Sequence, residues 1–276
     1  MRKTLLLGAL LAFAGASAGA QVALTPQISG NSLTAKIQLP GGVSADLSIT
    51  FEQVVGLNAN ALALTATLLN PTDPSILSRL PDPKVTLPTA FPVLVTVQPA
   101  AGSGLSFEGV YKLSVDTPNL TLVTNSPLRL FRAPAGGAFA DMTGSLEVGS
   151  VRAGGSGPGF SDFLIVADTR LSAGVISGKF DALQNLLTAN AGAINPAVAQ
   201  DLQSRLTQAR NAYDSGALSA AIDAVTGFSQ QVKQQSGANI PNVWTAGGSA
   251  VNVAGQLRSA ADTLRFSLVA RSNGTP

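Results

Sequence analysis

Asp162 and Asp168 bracket the apolar run Phe163-Leu164-Ile165-Val166-Ala167. A carboxylate pair is a hydrolytic device that works without histidine, and this chain has no His and no Cys. That absence removes every Ser-His-Asp and Cys-His mechanism, and with it the commonest ligand for a transition metal. Gly15-Ala16-Ser17-Ala18-Gly19 has the spacing of a nucleophile elbow. It lies in a leader and lacks a His partner, so nothing activates its serine. No Ser-x-x-Lys spacing occurs. The two aspartates are six strand residues apart, about 20 Å at roughly 3.3 Å per residue. Glycosidase carboxylates stand roughly 5 to 9.5 Å apart. Asp162 and Asp168 therefore read as the polar ends of a buried strand. Glu108 with Glu147 is a second pairing that neighbouring strands can bring together, and it keeps a carboxylate-dependent hydrolase of extracellular polysaccharide as an alternative function.

Other candidate chemistry is thinner. Residues 154–159 carry enough glycine to present backbone donors to an anion. They lack the Lys-Ser/Thr ending of a phosphate loop and read as a flexible strand connection. Asp73 and Asp82 lie in a Pro-rich stretch without the six to eight oxygens calcium requires. The expectation is no catalytic residue, no metal site and no cofactor. Three residues remain as candidate ligand contacts. Trp244 is the only tryptophan and stands between Pro241 and Gly247-Gly248. It can stack on a sugar ring or a partner, although closing the base of a helical bundle is the favoured reading. Arg129 and Arg132 flank Phe131 on an expected strand. They form a basic-aromatic cluster suited to an anionic polymer, with a plain surface strand edge as the favoured reading.

The elements that hold these residues follow from hydrophobic period. Leu33, Ala35, Ile37 and Leu39 alternate with polar neighbours, and so do Val43, Ala45, Leu47, Ile49 and Phe51. Pro40-Gly41-Gly42 between them predicts a β-hairpin. Further strands are expected within residues 59–69, 91–97, 105–115, 120–124, 128–131, 139–151 and 160–168. Residues 70–83 collect four prolines and read as a loop crossing the end of a sheet. Short strands with Pro/Gly turns and no interleaved helices predict an antiparallel β-sandwich over residues 21–173.

The period then changes. Phe180, Leu183, Leu186 and Leu187 fall three and four apart. Asn195-Pro196 opens a helix carrying Leu202, Leu206, Ala209 and Tyr213, and Gly216 closes it. Leu218, Ala221, Ile222, Val225, Phe228 and Val232 mark the next helix, joined closely enough to form an antiparallel hairpin. Val253, Leu257, Ala260, Leu264 and Leu268 mark the last. The prediction is a segregated α+β chain. A C-terminal helical bundle of three or four helices over residues 178–270 is joined to the sandwich near residues 174–179, and a tail follows over 271–276.

Residues 1–20 read as a secretory signal: Arg2 and Lys3, an apolar run over 5–13, and Ala18-Gly19-Ala20. Without Arg2 and Lys3 the 17 basic residues become 15, matching the 15 acidic ones. A neutral mature chain carries no footprint for nucleic acid. No later apolar run is long enough to span a bilayer.

Residues 181–268 resemble the FIMAH-type helical module of secreted bacterial proteins. The likeness rests on Phe180-Asp181-Ala182-Leu183, on Leu202, Leu206, Ala209 and Gly216, and on Ala221, Ile222 and Phe228. The mature chain also resembles an uncharacterised secreted bacterial family through residues 129–134, 157–168 and 251–255. These resemblances imply an extracytoplasmic, non-enzymatic module. The expected function is an exported, periplasmic or secreted binding or structural module of the cell envelope, with a glycan or protein as partner. A periplasmic carrier of an apolar ligand, held between sheet and bundle, is a further alternative. Mass spectrometry of the protein recovered outside the cytoplasm is expected to give Gln21 as the first residue, whereas a retained residue 1–20 segment would contradict the leader.

Overall fold

The computed structural model describes residues 19–147, 151–248 and 250–274, so residues 1–18 of the expected leader lie outside the described residues. The chain opens with strands β1 (Gln21–Ala23), β2 (Gln27–Ser29), β3 (Ser32–Leu39), β4 (Val43–Val55) and β5 (Leu62–Leu68). A one-turn helix α1 (Pro74–Leu77) and strands β6 (Val85–Thr86), β7 (Val93–Pro99), β8 (Ser106–Thr117) and β9 (Leu128–Ala133) follow. Next come β10 (Ala140–Asp141), β11 (Thr143–Glu147), β12 (Val151–Gly157) and β13 (Asp162–Asp168). Helices α2 (Ser172–Ala189), α3 (Pro196–Asp214) and α4 (Leu218–Gln235), a short strand β14 (Val243–Thr245) and helix α5 (Val253–Ser272) complete the chain.

The strands form two antiparallel sheets. One runs β1-β5-β7-β13-β9-β10, with β6 also on β13; the other runs β11-β12-β8-β4-β3-β2, with β14 also on β8. The β3–β4 hairpin follows directly from its alternation. Its register sets Leu33 against Ile49, Ala35 against Leu47 and Ile37 against Ala45, all facing the core. Gly41 and Gly42 turn the chain at φ 77°, which suits glycine. Leu33, Leu47 and Ile49 are fully buried, and each contributes roughly 1.5–3 kcal/mol by leaving water. A second, smaller core on the outer face of the first sheet gathers Ile76, Val85, Leu87, Phe131, Phe139, Leu164 and Val166. Arg79 ties it down by pairing with Asp162 at 2.7 Å and lying over the Phe139 ring.

The four long helices form a bundle around Ile176, Phe180, Leu183, Leu206, Val225, Phe228, Leu257, Leu264 and Leu268. Helix α3 starts as expected, with the Asn195 side chain accepting from the Ala197 N–H and Pro196 at the first helical position.

Several expectations need correction. Residues 174–179 are not a joint, because they lie inside the continuous helix α2. Residues 120–124 form no strand; Leu120 is buried in the sandwich, but the segment is irregular. The loop over 70–83 contains α1, capped by Asp73 accepting from the Ser75 N–H. Helix α5 runs two residues into the expected tail. The glycine-rich stretch from Val151 is not a flexible connection but strand β12, seated between β11 and β8. The reason is close packing. A Cβ on Gly155 would run into the Met142 carbonyl oxygen, and one on Gly157 would run into the Tyr111 ring. Gly174 and Gly178 are the opposite case, since a Cβ at either meets nothing within 4 Å. Gly155→Ala is therefore expected to lower the unfolding free energy by about 1–3 kcal/mol. Gly178→Ala is expected to raise it by about 0.5–1 kcal/mol. Urea denaturation midpoints of the two variants check both signs.

Candidate functional site

Helix α5 meets both parts of the protein. Leu257, Ala261, Leu264 and Leu268, spaced four, three and four apart, face the bundle core. The opposite side presents polar groups to the sheets. Arg258 donates to both oxygens of Glu52 on β4, at 2.6 and 2.7 Å. The Asn252 amide donates to the Gly109 carbonyl while its oxygen caps α5 by accepting from the Gly255 N–H at 2.8 Å. Gly109 bulges at φ 72°, beside Glu52 and Arg258, where the β4–β8 register shifts. Asp262 accepts from Ser156 on β12 at 2.9 Å.

Helix α2 adds a second polar anchor. Lys179 donates to Asp141 at 2.6 Å, to the Thr263 hydroxyl at 2.9 Å and to Ser267 at 2.7 Å. Its side chain is only 12% exposed, and that of Asp141 4%. Burial pulls the Lys179 pKa below its ordinary value, and Asp141 opposes the shift. Nearby, Arg170 grips Asp168 through two bonds of 2.9 and 2.7 Å. Burial works to raise the Asp168 pKa, but the Arg170 bonds outweigh it and hold the carboxyl low.

Between these anchors lies a cleft of about 540 Å³. Helix α2 contributes Gly174, Val175, Gly178, Lys179, Ala182 and Leu186, and α5 contributes Gln256, Ser259, Ala260 and Thr263. The sheets supply Arg132, Ala140, Asp141, Met142, Ser156 and Pro158, with Pro134, Phe139 and Pro81 at the side. The helical residues fall at spacings of three and four, so each helix offers one face. Gly174, Gly178 and Ala182 put almost no side chain on the α2 face, which leaves the space open. A larger hollow of about 690 Å³ sits among loops at residues 192–195 and 237–243, with Asn195, Asn239 and Asn242 in its wall. The 540 Å³ cleft joins apolar walls to buried charges, as does a smaller pocket of about 290 Å³ beside it that is lined by Pro127, Leu171, Arg129 and Asp168.

The three expected contact residues are not brought together. Trp244 is not at the base of the bundle. Strand β14 pairs with β8 and sets Trp244 opposite Phe107. The indole stacks on Phe107 at 5.1 Å and meets Phe160 edge-on at 5.1 Å. It is a wall of the sandwich core, with one face already covered. Arg129 and Arg132 do not form one cluster either. Three residues apart on β9, they point to opposite faces. Arg129 donates to the carbonyls of Ser126 and Leu128 and lies over Phe266 in a neighbouring pocket. Burial lowers its pKa. Arg132 alone lines the cleft, donating to the Gly159 carbonyl at 3.3 Å. Tyr111 donates to the same oxygen at 2.8 Å, and burial pushes its pKa up to about 12.

The carboxylate pairs are also apart. Asp162 and Asp168 are bound by different arginines at opposite ends of β13. Glu108 lies eight residues along β8 from Asp116, about 26 Å at roughly 3.3 Å per residue. Glu147 is held near Asp116 by Arg152. Among the described residues, no group of three or more acidic side chains is placed to hold a metal ion. No described helix is long and apolar enough to cross a membrane. Sequence reasoning missed Lys179, Asp141, Gly178 and Ser259. Two glycines spaced four apart within a helical period were the available signal, since glycine costs a helix interior about 1 kcal/mol against alanine.

A model of a family of unknown function, DUF6689, matches residues 7–271. The chain belongs to that family. The match spans sandwich and bundle alike, so the cleft lies between two parts of one family unit. No curated protein and no solved structure matches.

The Glu52–Arg258 pair gives the docking of α5 a pH dependence. Burial works to raise the Glu52 pKa, but the bonds and charge of Arg258 hold it below its ordinary 4.5. A depressed carboxylate stabilises the fold above its unfolded pKa, and that contribution is lost as pH falls through the folded value. Stability is thus expected to decline as pH drops below 4.5. Glu52→Gln is expected to cost about 2 kcal/mol at neutral pH and to flatten this part of the profile, as read by urea denaturation across pH.

Proposed function

We propose that the protein is a non-catalytic, exported binding module of the bacterial cell envelope, and that it holds a small, largely apolar ligand in the cleft between sheets and bundle. The observation that carries this reading is the cleft's construction. Gly174 and Gly178 weaken α2, yet no backbone approaches closely enough to require them. What they preserve is about 540 Å³ of space between Phe139, Met142, Val175 and Leu186. That volume falls within the range of small-molecule sites.

The electrostatics favour binding over catalysis. Three carboxylates around the cleft are held by cations, Asp141 by Lys179, Asp168 by Arg170 and Asp162 by Arg79, and a fourth, Asp262, accepts from the hydroxyls of Ser156 and Ser229. A general acid or base needs a group free to exchange its proton with substrate. Export rests on Arg2 and Lys3, the apolar run and Ala18-Gly19-Ala20. The FIMAH-like pattern of the helices supports an extracytoplasmic setting. The buried face of Trp244 weakens a sugar-stacking role for that residue.

The test uses the purified chain without its leader and the neutral fluorescent probe N-phenyl-1-naphthylamine. Saturable one-to-one enhancement is expected. Gly178→Phe, which fills the cleft from a position with open space around its Cβ, is expected to weaken binding at least tenfold while the melting temperature holds or rises. Absence of saturable binding, or binding indifferent to Gly178→Phe, would refute the reading.

A further inference from the structure

Three cations line the cleft, Arg132, Arg170 and Lys179, against one carboxylate, Asp141. Two of the cations are neutralised in place. Lys179 is paired with Asp141 and Arg170 with Asp168. Arg132 is different. Among the described residues it has no carboxylate partner; it donates to the Gly159 carbonyl at 3.3 Å and stands beside the Tyr111 hydroxyl, both neutral groups. A guanidinium carries five N–H donors in a planar fork. A half-buried guanidinium with most donors unused, in an apolar-walled space, favours an anion that accepts from that fork. On the facing helix the Ser259 hydroxyl is buried and has no hydrogen-bond partner among the described residues. A ligand atom that accepts from it would satisfy a group otherwise desolvated at a cost.

Resting on the binding reading above, we infer that the ligand is a detached single-chain amphiphile with an anionic head. The head, a carboxylate or an ester of a mineral acid, sits against Arg132. The apolar body lies along the gap left by Gly178 and Ala182, against Met142, Phe139 and Leu186. The walls explain the body and Arg132 explains the sign of the head. A neutral apolar molecule leaves Arg132 uncompensated. A large polyanion meets only one open cation in the cleft.

Calorimetric titration with decanoate and with decan-1-ol, at pH 8 where the acid is ionised, separates head from tail. Decanoate is expected to bind one-to-one and at least tenfold tighter than decanol. Arg132→Gln is expected to remove that preference, weakening decanoate at least tenfold and leaving decanol within twofold. Equal affinity for the two compounds in the unmodified protein overturns the anionic head, and this comparison decides the matter even if the variant does not fold. Retention of the full preference in folded Arg132→Gln overturns the assignment to Arg132. If N-phenyl-1-naphthylamine binds and neither decanoate nor decanol does, the amphiphile fails and the cleft stands; if none binds, both readings fail. Sedimentation with vesicles containing anionic phospholipid is expected to leave the protein in solution. Co-sedimentation abolished by Arg132→Gln would place the head in a bilayer and overturn the detached ligand.

Discussion

The arrangement depends on how α5 divides its surface. A helix covered on one side by a bundle and on the other by a sheet is expected to be apolar all round. Here one side is apolar and the sheet side carries Asn252, Arg258, Asp262, Thr263 and Ser267. Polar groups leave water only if they find partners. The sheets supply them in the carboxylate of Glu52, the carbonyl of Gly109, the hydroxyl of Ser156 and the backbone carbonyl of Asp141, and Lys179 of α2 donates to Thr263 and Ser267. Each contact fixes distance and direction, where an apolar seam could slide. The Glu52–Arg258 pair in particular joins residues 206 positions apart, so the docking of the bundle depends on the bulge between β4 and β8 that sits beside it.

A directional seam has a further consequence. Apolar layers close by interdigitating until little space is left. A seam held by a few polar anchors is spaced by them, and where neighbouring side chains are small the gap stays open. The cleft lies along α2, between Lys179 and the sheets, with Gly174, Gly178 and Ala182 facing it. The ion pairs that position α2 and α5 therefore also frame the cleft. They consume its carboxylates while leaving Arg132 uncompensated, so the same contacts that set the fold set the sign of the site.

The sequence made the fold class readable because each half carries one clear period. Leu33 to Phe51 alternate, and their register places every apolar member inward. Leu202 to Ala209 and Leu257 to Leu268 repeat every three or four residues and all reach the bundle core. The site was far less legible. Lys179 sits in an ordinary helical pattern, and its partner Asp141 is remote in sequence and joined through a two-residue strand. Local period says nothing about such a pairing. Trp244 was misplaced for a similar reason. It follows three long helices, yet β14 returns to the sheet where β12 ends on β8, a non-local choice made by backbone hydrogen bonds.

Glycine misled most because its meaning depends on what stands opposite it. Gly154 to Gly159 read as flexible, and Gly174 with Gly178 read as a joint. In β12 the glycines are needed because backbone and ring atoms of neighbouring strands occupy the place of a side chain. In α2 nothing occupies that place, so the helix forms despite them, held by Ile176, Phe180, Leu183 and Leu187 in the bundle core. The first pair of causes is steric and concerns folding. The second has no steric cause within the chain, and Gly178, in the helix interior, costs α2 roughly 1 kcal/mol against alanine. A cost of that size with no return in packing is the ground on which the cleft is proposed as a site for something outside the chain.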